Sequence, residues 1–90
     1  MSTEDTTIEA AIATAVAALA PGKSLDPTEI ARELAGTDEK VWRLLMVPIR
    51  RVAVRMAKDG RAAILRKGKA VDPDDFKGVY RLARPLDDAG

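Results

Sequence analysis

The chain has no cysteine and no histidine, and only three of its 90 residues are aromatic. Without cysteine, a disulfide framework, a thiolate zinc site and a cysteine nucleophile are all excluded. Without histidine, the commonest general base and the commonest transition-metal ligand are missing. Three aromatic residues are too few for the stacking platform with which single-strand binders hold successive bases. The sequence therefore argues against a module for single-stranded nucleic acid.

The acidic run at residues 72–75 does not follow the pattern of a calcium loop. Counted from Asp72, the fifth and twelfth positions of an EF-hand loop, which need oxygen ligands, hold Phe76 and Ala83. A strand, glycine-rich loop and helix unit that could cradle phosphates is also missing. The only serines, Ser2 and Ser24, have no candidate base near them in the sequence. We therefore expect no enzymatic activity, no cofactor and no metal, and we interpret residues 72–75 as a turn.

No apolar run reaches the roughly 18–20 residues that a membrane-spanning helix requires. The first five residues, MSTED, are polar and acidic, which is the opposite of the basic start of a secretory signal. We therefore expect a cytoplasmic protein with no membrane partner. The balance of 47% hydrophobic and 32% charged residues is typical of a folded domain. We predict a single domain over residues 6–83, with flexible tails at 1–5 and 84–90.

The net charge of +1 conceals an uneven distribution along the chain. Residues 1–45 carry four basic and eight acidic side chains, whereas residues 46–90 carry eleven basic and six acidic ones. The stretch 46–71 has eight basic residues and a single acid, Asp59. Such asymmetry is expected when one face of a protein meets a polyanion. It is equally expected of a helix and a hairpin whose cations are simply solvated.

Two helices are predicted in the first half of the chain. The first begins at Thr6, which forms a capping-box pair with Glu9, carries an apolar stripe, and ends at 20–22 (APG). The second begins after the cap Asp26 and ends at Gly36, which we expect to adopt a left-handed conformation. The remaining signals of the second helix are Pro27 at the first helical position, Glu29 at the third, and the Leu25–Ile30 hydrophobic staple.

The longest helical pattern runs over residues 39–58 and separates apolar from basic side chains. With Arg50 at zero and about 100° per residue, eight apolar side chains fall on one face between about 200° and 340°. Its members are Trp42, Leu45, Met46, Ile49, Val52, Ala53, Met56 and Ala57. The basic face, from about 0° to 140°, contains Arg43, Arg50, Arg51, Arg55 and Lys58. Pro48 predicts a kink near Val47 and a main helix from Pro48 to Lys58, which Asp59 and Gly60 end.

A small β-structure is predicted after this helix. Residues 62–65 are typical of a strand, 66–69 of a basic turn with a glycine, and 70–71 of a returning strand. Residues 79–82 suit a final strand. The fold class predicted from this order is mainly α with a small β-hairpin or three-strand wing: a single-domain winged helix-turn-helix.

In that architecture the third helix enters the major groove and the hairpin lies against phosphates. The residues that we expect to bind DNA are Arg43, Arg50, Arg51, Arg55, Lys58, Arg66, Lys67 and Lys69. Val47 and Val54 fall on the same face, where a valine can touch a thymine methyl, although single exposed aliphatic residues often have no role. Trp42 lies on the apolar face, which favours a place in the core over base stacking.

Most of the chain resembles a small bacterial family known only as domain of unknown function 3253. The segments that carry the resemblance, over about residues 8–82, are 26–31 (DPTEIA), 42–46 (WRLLM), 49–50 (IR), 59–61 (DGR), 67–73 (KGKAVDP) and 78–82 (GVYRL). In the family pattern a proline directly follows the methionine, whereas here it comes one residue later, at Pro48. The resemblance implies a winged-helix-like fold and carries over no activity.

Two functions are compatible with this sequence. The first is binding of double-stranded DNA through the basic third helix and the basic wing. The alternative is a protein-interaction or homodimerisation module on the same scaffold without nucleic-acid binding, because a fold alone does not decide function. The acidic first half favours the alternative, because its carboxylates can form ion pairs with a basic surface, such as the basic half of a second copy.

Overall fold

Helices come first and a small sheet closes the fold within residues 3–85, the part of the chain described by the computed structural model. The helices are α1 (Thr3–Ala17), α2 (Pro27–Ala35), the single-turn α3 (Glu39–Trp42) and α4 (Met46–Lys58), with a 3-10 turn at Arg43–Leu45 between the last two. The strands are β1 (Ser24–Leu25), β2 (Ala63–Arg66), β3 (Lys69–Ala70) and β4 (Arg81–Ala83). The prediction of a mainly helical domain with a small antiparallel sheet is confirmed.

The sheet is antiparallel, and its strands lie in the order β1, β4, β2, β3. Ile64 of β2 and Leu25 of β1 both pair with Leu82 of β4, and all three side chains are buried. One face of the sheet therefore packs on the helices. The core that they share contains Ile8, Ile12, Val16, Leu25, Ile30, Ala31, Ile49, Val52, Ala53, Met56, Ile64, Phe76, Tyr80 and Leu82.

Helix α1 begins earlier and ends earlier than predicted. It starts at Thr3 instead of Thr6, so residues 3–5 belong to a helix and not to a tail. Asp5 lies in the first turn, where a carboxylate interacts favourably with the helix dipole, and it is buried. The helix ends at Ala17, and the predicted stop at 20–22 marks only the following turn. The predicted tail residues 86–90 lie outside the described part of the chain.

The predicted N-terminal capping of helix α2 is confirmed. The Asp26 carboxylate accepts a hydrogen bond from the backbone N–H of Thr28 at 2.9 Å, and the Glu29 carboxylate accepts one from the N–H of Asp26 at 3.2 Å. Pro27 occupies the first helical position. At the other end Gly36 has the expected positive φ of 88°, but its ψ of −176° is extended instead of left-handed helical.

The break in the third helical pattern lies one turn before the predicted position. The chain forms the 3-10 turn Arg43–Leu45, and α4 starts at Met46, so the predicted start at Pro48 is wrong. A proline ring clashes with the carbonyl four residues earlier, which here belongs to Leu44. The regular helix is therefore interrupted at Leu44. Pro48 fits in the first turn of α4, where backbone N–H groups have no intrahelical acceptor, so the N–H that proline lacks is not missed.

The strands are displaced from their predicted positions, and one of them was not predicted. Strands β2 and β3 have the predicted lengths, but β2 begins one residue later, at Ala63, and β3 one residue earlier, at Lys69. Strand β1 has two residues and no periodicity of its own, because it is defined only by its pairing with β4. Strand β4 begins at Arg81, so Val79 lies in the preceding loop and is exposed. No helix among the described residues is long and apolar enough to cross a membrane.

Candidate nucleic-acid interface

Four of the eight predicted DNA-binding residues form ion pairs with carboxylates of the same chain. Arg51 and Arg55 of α4 face helix α1: an Arg51 amino group lies 2.7 Å from an Asp5 oxygen, and an Arg55 amino group lies 3.6 Å from a Glu9 oxygen. Lys58 at the end of α4 lies 2.6 Å from Asp74. Arg43 pairs with Glu39 one turn earlier along the chain.

The pairs between α1 and α4 follow from the spacing of four residues on each helix. Asp5 and Glu9 are four apart, as are Arg51 and Arg55, so each pair of like charges lies on one face of its helix. Glu9 also binds Arg61 beyond the end of α4, and this hydrogen bond, aided by Asp59, raises the pKa of the Arg61 guanidinium. Two carboxylates of α1 therefore neutralise much of the charge along one side of α4.

Arg50 and Arg66 hold the loop between β3 and β4 through its backbone. Arg50 donates to the carbonyl of Phe76 at 2.8 Å and stacks 4.1 Å from the centre of its ring. Arg66 donates from its Nε to the carbonyl of Val79 at 2.9 Å. Among the side chains of residues 5–85, no carboxylate forms an ion pair with either arginine. Because neutral carbonyls accept these bonds, neither positive charge is compensated within that range.

Lys67 and Lys69 lie at the tip of the hairpin that joins β2 to β3. Lys67 and Gly68 have φ values of 55° and 81°, and positive φ at both central residues is the signature of a tight type I′ turn. Lys67, Gly68 and Lys69 are exposed, and the described chain offers neither lysine an ion-pair partner. The register places Arg66 directly opposite Lys69, and like charges at such positions repel one another.

Lys77 belongs to the same region and was not predicted. It is exposed and lies between Phe76 and Val79, the two residues whose carbonyls Arg50 and Arg66 bind. Its signal in the sequence is a basic residue beside Gly78 in a loop between two strands. Four predicted residues have no ion-pair partner among the described side chains. We call these four and Lys77 the wing cluster: Arg50, Arg66, Lys67, Lys69 and Lys77.

The aromatic side chains serve the core. Phe76 and Tyr80 are buried and meet edge to face with ring centres 5.4 Å apart. Burial raises the pKa of Tyr80 to about 12. The positive charge of Arg50 opposes this rise, and the negative charge of Asp26 adds to it. Trp42 is half-buried beneath Arg32, whose guanidinium carbon lies 5.2 Å from the centre of the ring. The predicted packing of Trp42 against the core is therefore confirmed.

The acidic run at residues 72–75 forms a turn, as predicted. The Asp72 carboxylate accepts from the N–H of Asp74 at 2.9 Å, and the Asp72 carbonyl accepts from the N–H of Asp75 at 3.0 Å. The described residues contain no group of three or more carboxylates placed to hold a metal ion.

The comparison with protein families covers nearly all of this structure. The model of a family described as protein of unknown function (DUF3253) matches residues 5–85. The chain belongs to this family. The match runs from the first turn of α1 to just beyond β4, so it includes the wing cluster and the whole of α4. A search of the curated proteins gave no match. Membership in DUF3253 gives the family of the chain, and the description of that family names no function.

Proposed function

We propose that this DUF3253 protein binds double-stranded DNA as a winged helix, with α4 in the major groove and the wing cluster on the phosphates. The order of elements supports the architecture: helix, strand, two helical segments, α4, and then strands of which β4 lies between β1 and β2. The hairpin β2–β3 and the loop before β4 correspond to the wing. Phosphate contacts of this kind position a protein on the duplex.

The observation that carries the proposal is the wing cluster. Five cations gather around one hairpin and one loop, and no carboxylate among the described side chains, those of residues 5–85, forms an ion pair with any of them. The Arg66–Lys69 pair places like charges opposite each other, at a cost of about 0.2–1 kcal/mol that a bound phosphate would relieve. A polyanion supplies the missing negative charge, which makes this the favoured ligand class.

Two of the ion pairs near α4 are compatible with the proposal, because they are largely solvent-exposed. The side chains of Arg43 and Lys58 are 67% and 49% exposed, and those of their partners, Glu39 and Asp74, are both 60% exposed. Exposed pairs contribute only about 0–1 kcal/mol each, so a phosphate can replace the carboxylate partner at small cost. Arg43 and Lys58 would add to binding once a phosphate has replaced their partner, whereas Arg51 stays paired with the buried Asp5.

The test compares two lysine pairs by fluorescence anisotropy, with a random duplex of about 16 base pairs across a range of salt concentrations. Five phosphate contacts predict that log affinity falls with log salt at a slope of about −4 to −5. The variant Lys67→Gln/Lys69→Gln removes two contacts and should make the slope less steep by about 1.8. A matched control, Lys23→Gln/Lys40→Gln, removes two exposed lysines outside the wing, one of them at the β1 edge of the sheet.

The control variant should retain the slope of the wild-type protein. If the wild-type protein fails to bind the duplex even at low salt, DNA binding is wrong. If both double variants change the slope equally, the wing cluster is not the site. Reversal of Arg51 and Arg55 is a poorer test, because both residues also hold α1 against α4.

A protein partner is the second candidate, and the carboxylates beside α4 are the observation that favours it. Asp5, Glu9 and Asp74 already occupy Arg51, Arg55 and Lys58, which demonstrates that carboxylates suit these cations. An acidic surface of another protein, or of a second copy, could bind in the same way. Sedimentation across a wide concentration range tests the homodimer, since a strict monomer at every concentration would exclude it.

A further inference from the structure

Three large aliphatic side chains form an exposed ridge where α4 begins. Val41, Leu44 and Val47 are 45%, 74% and 74% exposed, and they recur every three residues. Val41 belongs to α3, Leu44 to the 3-10 turn and Val47 to the first turn of α4, so the spacing of three places them on successive turns of this helical run. We call them the aliphatic ridge. The core does not use them, because α4 already buries Ile49, Val52, Ala53 and Met56 completely.

The polar side chains of α4 are restricted to cations. Its sequence, MVPIRRVAVRMAK, contains no asparagine, glutamine, serine or threonine and no acid. The hydrogen bonds by which asparagine or glutamine recognises adenine are therefore unavailable to this helix, and so is the contact of an acid with cytosine. Of its arginines, Arg50 is bound to the Phe76 carbonyl and Arg51 to Asp5. The large exposed side chains at the N-terminal end of α4 that make no polar contact are aliphatic: Leu44 in the preceding 3-10 turn and Val47 in the first turn.

Only one base edge in the major groove offers an apolar group, the 5-methyl of thymine. The N-terminal residues of a recognition helix are those that contact base edges. On the basis of the DNA binding proposed above, we infer that Leu44 and Val47 of the aliphatic ridge contact thymine methyl groups. The protein thus prefers duplexes with thymine opposite the start of α4. The wing cluster supplies sequence-independent affinity, and the ridge supplies base preference.

The experiment removes the methyl group from the DNA and the aliphatic group from the protein. Anisotropy is measured with an alternating A·T duplex of about 16 base pairs and with its counterpart in which uracil replaces every thymine. Each buried methyl lost should weaken binding about fourfold. The variant Leu44→Ala/Val47→Ala should bind the two duplexes equally and retain the salt dependence of the wild-type protein. Both side chains are exposed, so the fold should survive, which circular dichroism checks.

Val79→Ala is the matched control, because Val79 is 80% exposed but lies in the wing loop instead of the ridge. It should retain the preference for thymine over uracil. Equal binding of both duplexes by the wild-type protein overturns the inference and leaves DNA binding intact. A preference that persists in the ridge variant also overturns it, since the uracil effect then arises from DNA shape. Failure to bind either duplex at low salt overturns both proposals.

Discussion

The buried carboxylate of Asp5 accepts a hydrogen bond of 2.7 Å from Arg51, and this contact joins the first turn of α1 to the middle of α4 across 46 residues of sequence. The contact anchors the first turn of α1, which begins at Thr3, to α4. It also means that Arg51 has a structural partner before any ligand arrives. A residue predicted for DNA binding thus contributes first to the packing of two helices.

Replacement of Asp5 by asparagine should lower the free energy of unfolding by about 1–2 kcal/mol. The pair is stronger than a typical surface pair because Asp5 is buried. The cost of losing it is limited because Arg51 is half exposed and is hydrated in the variant. Urea denaturation measures the difference. The control Glu33→Gln removes the same charge from an exposed position on α2 and should stay within about 0.5 kcal/mol of wild type. Equal effects of the two variants would contradict the role of the pair.

Loss of the α2 cap should also destabilise the domain. Asp26→Ala removes the acceptor for both the backbone N–H and the hydroxyl of Thr28, each at 2.9 Å. The expected cost is about 1 kcal/mol in thermal or urea denaturation. Asp26→Ser retains a capping oxygen and should recover most of this loss. If serine and alanine behave alike, the cap does not stabilise α2.

Gly68→Ala should weaken the hairpin by roughly 1 kcal/mol through backbone strain alone. An added Cβ at Gly68 meets no atom within 4 Å, but its φ of 81° is one that alanine rarely adopts. The local measurement is hydrogen exchange of the Val71 amide, which donates to the Ile64 carbonyl at 3.1 Å beside the turn. Exchange should accelerate in Gly68→Ala and slow in Lys67→Gly, which relieves the positive φ of Lys67. Unchanged protection in both variants would show that the turn does not control the hairpin.

Stability should fall between pH 10 and pH 12 because of Tyr80. Burial raises its pKa to about 12, whereas the phenol of the unfolded chain ionises near its ordinary value of about 10. The raised pKa means that the contribution to stability is complete below about pH 10 and is lost as the pH rises towards 12. Between pH 10 and pH 12 the free energy of unfolding should fall less in Tyr80→Phe than in the wild-type protein, and the difference should be on the order of 2 kcal/mol.

Tyr80 is the only tyrosine in the chain, so the ultraviolet absorbance of tyrosinate reports its ionisation directly. The folded protein should titrate with a midpoint near pH 12. A midpoint near pH 10 in the folded protein would show that the phenol is accessible to solvent.

The features predicted correctly are those decided by residues close in sequence. The cap of α2 involves Asp26, Thr28 and Glu29, within three residues of one another. The end of α4 at Lys58, shortly before Gly60, and the tight turn at Gly68 depend on local positive φ. The apolar stripes of α1 and α4 follow from helical periodicity, so most of the core was predictable as well.

Charge and spacing pointed to four of the five residues of the wing cluster but not to Lys77, and they did not predict the partner of any of them. Charge alone does not tell a solvated arginine from a paired one. Arg50 binds a carbonyl 26 residues away, and Arg66 binds one 13 residues away. Lys77 joined the cluster only because these two contacts fold the loop back onto α4 and β2.

The sequence by itself determined the presence of the main helices, the N-terminal cap of α2, the hairpin turn and the surplus of positive charge in the second half. These features depend on backbone preferences and on contacts within one turn of helix or one hairpin, which operate in any context. The tertiary structure alone decided the start of α1, the two-residue strand β1, and which cations remain free. The physical reason is distance along the chain, because Asp5 meets Arg51, and Ser24 meets Ala83, only after the helices and the sheet have packed together.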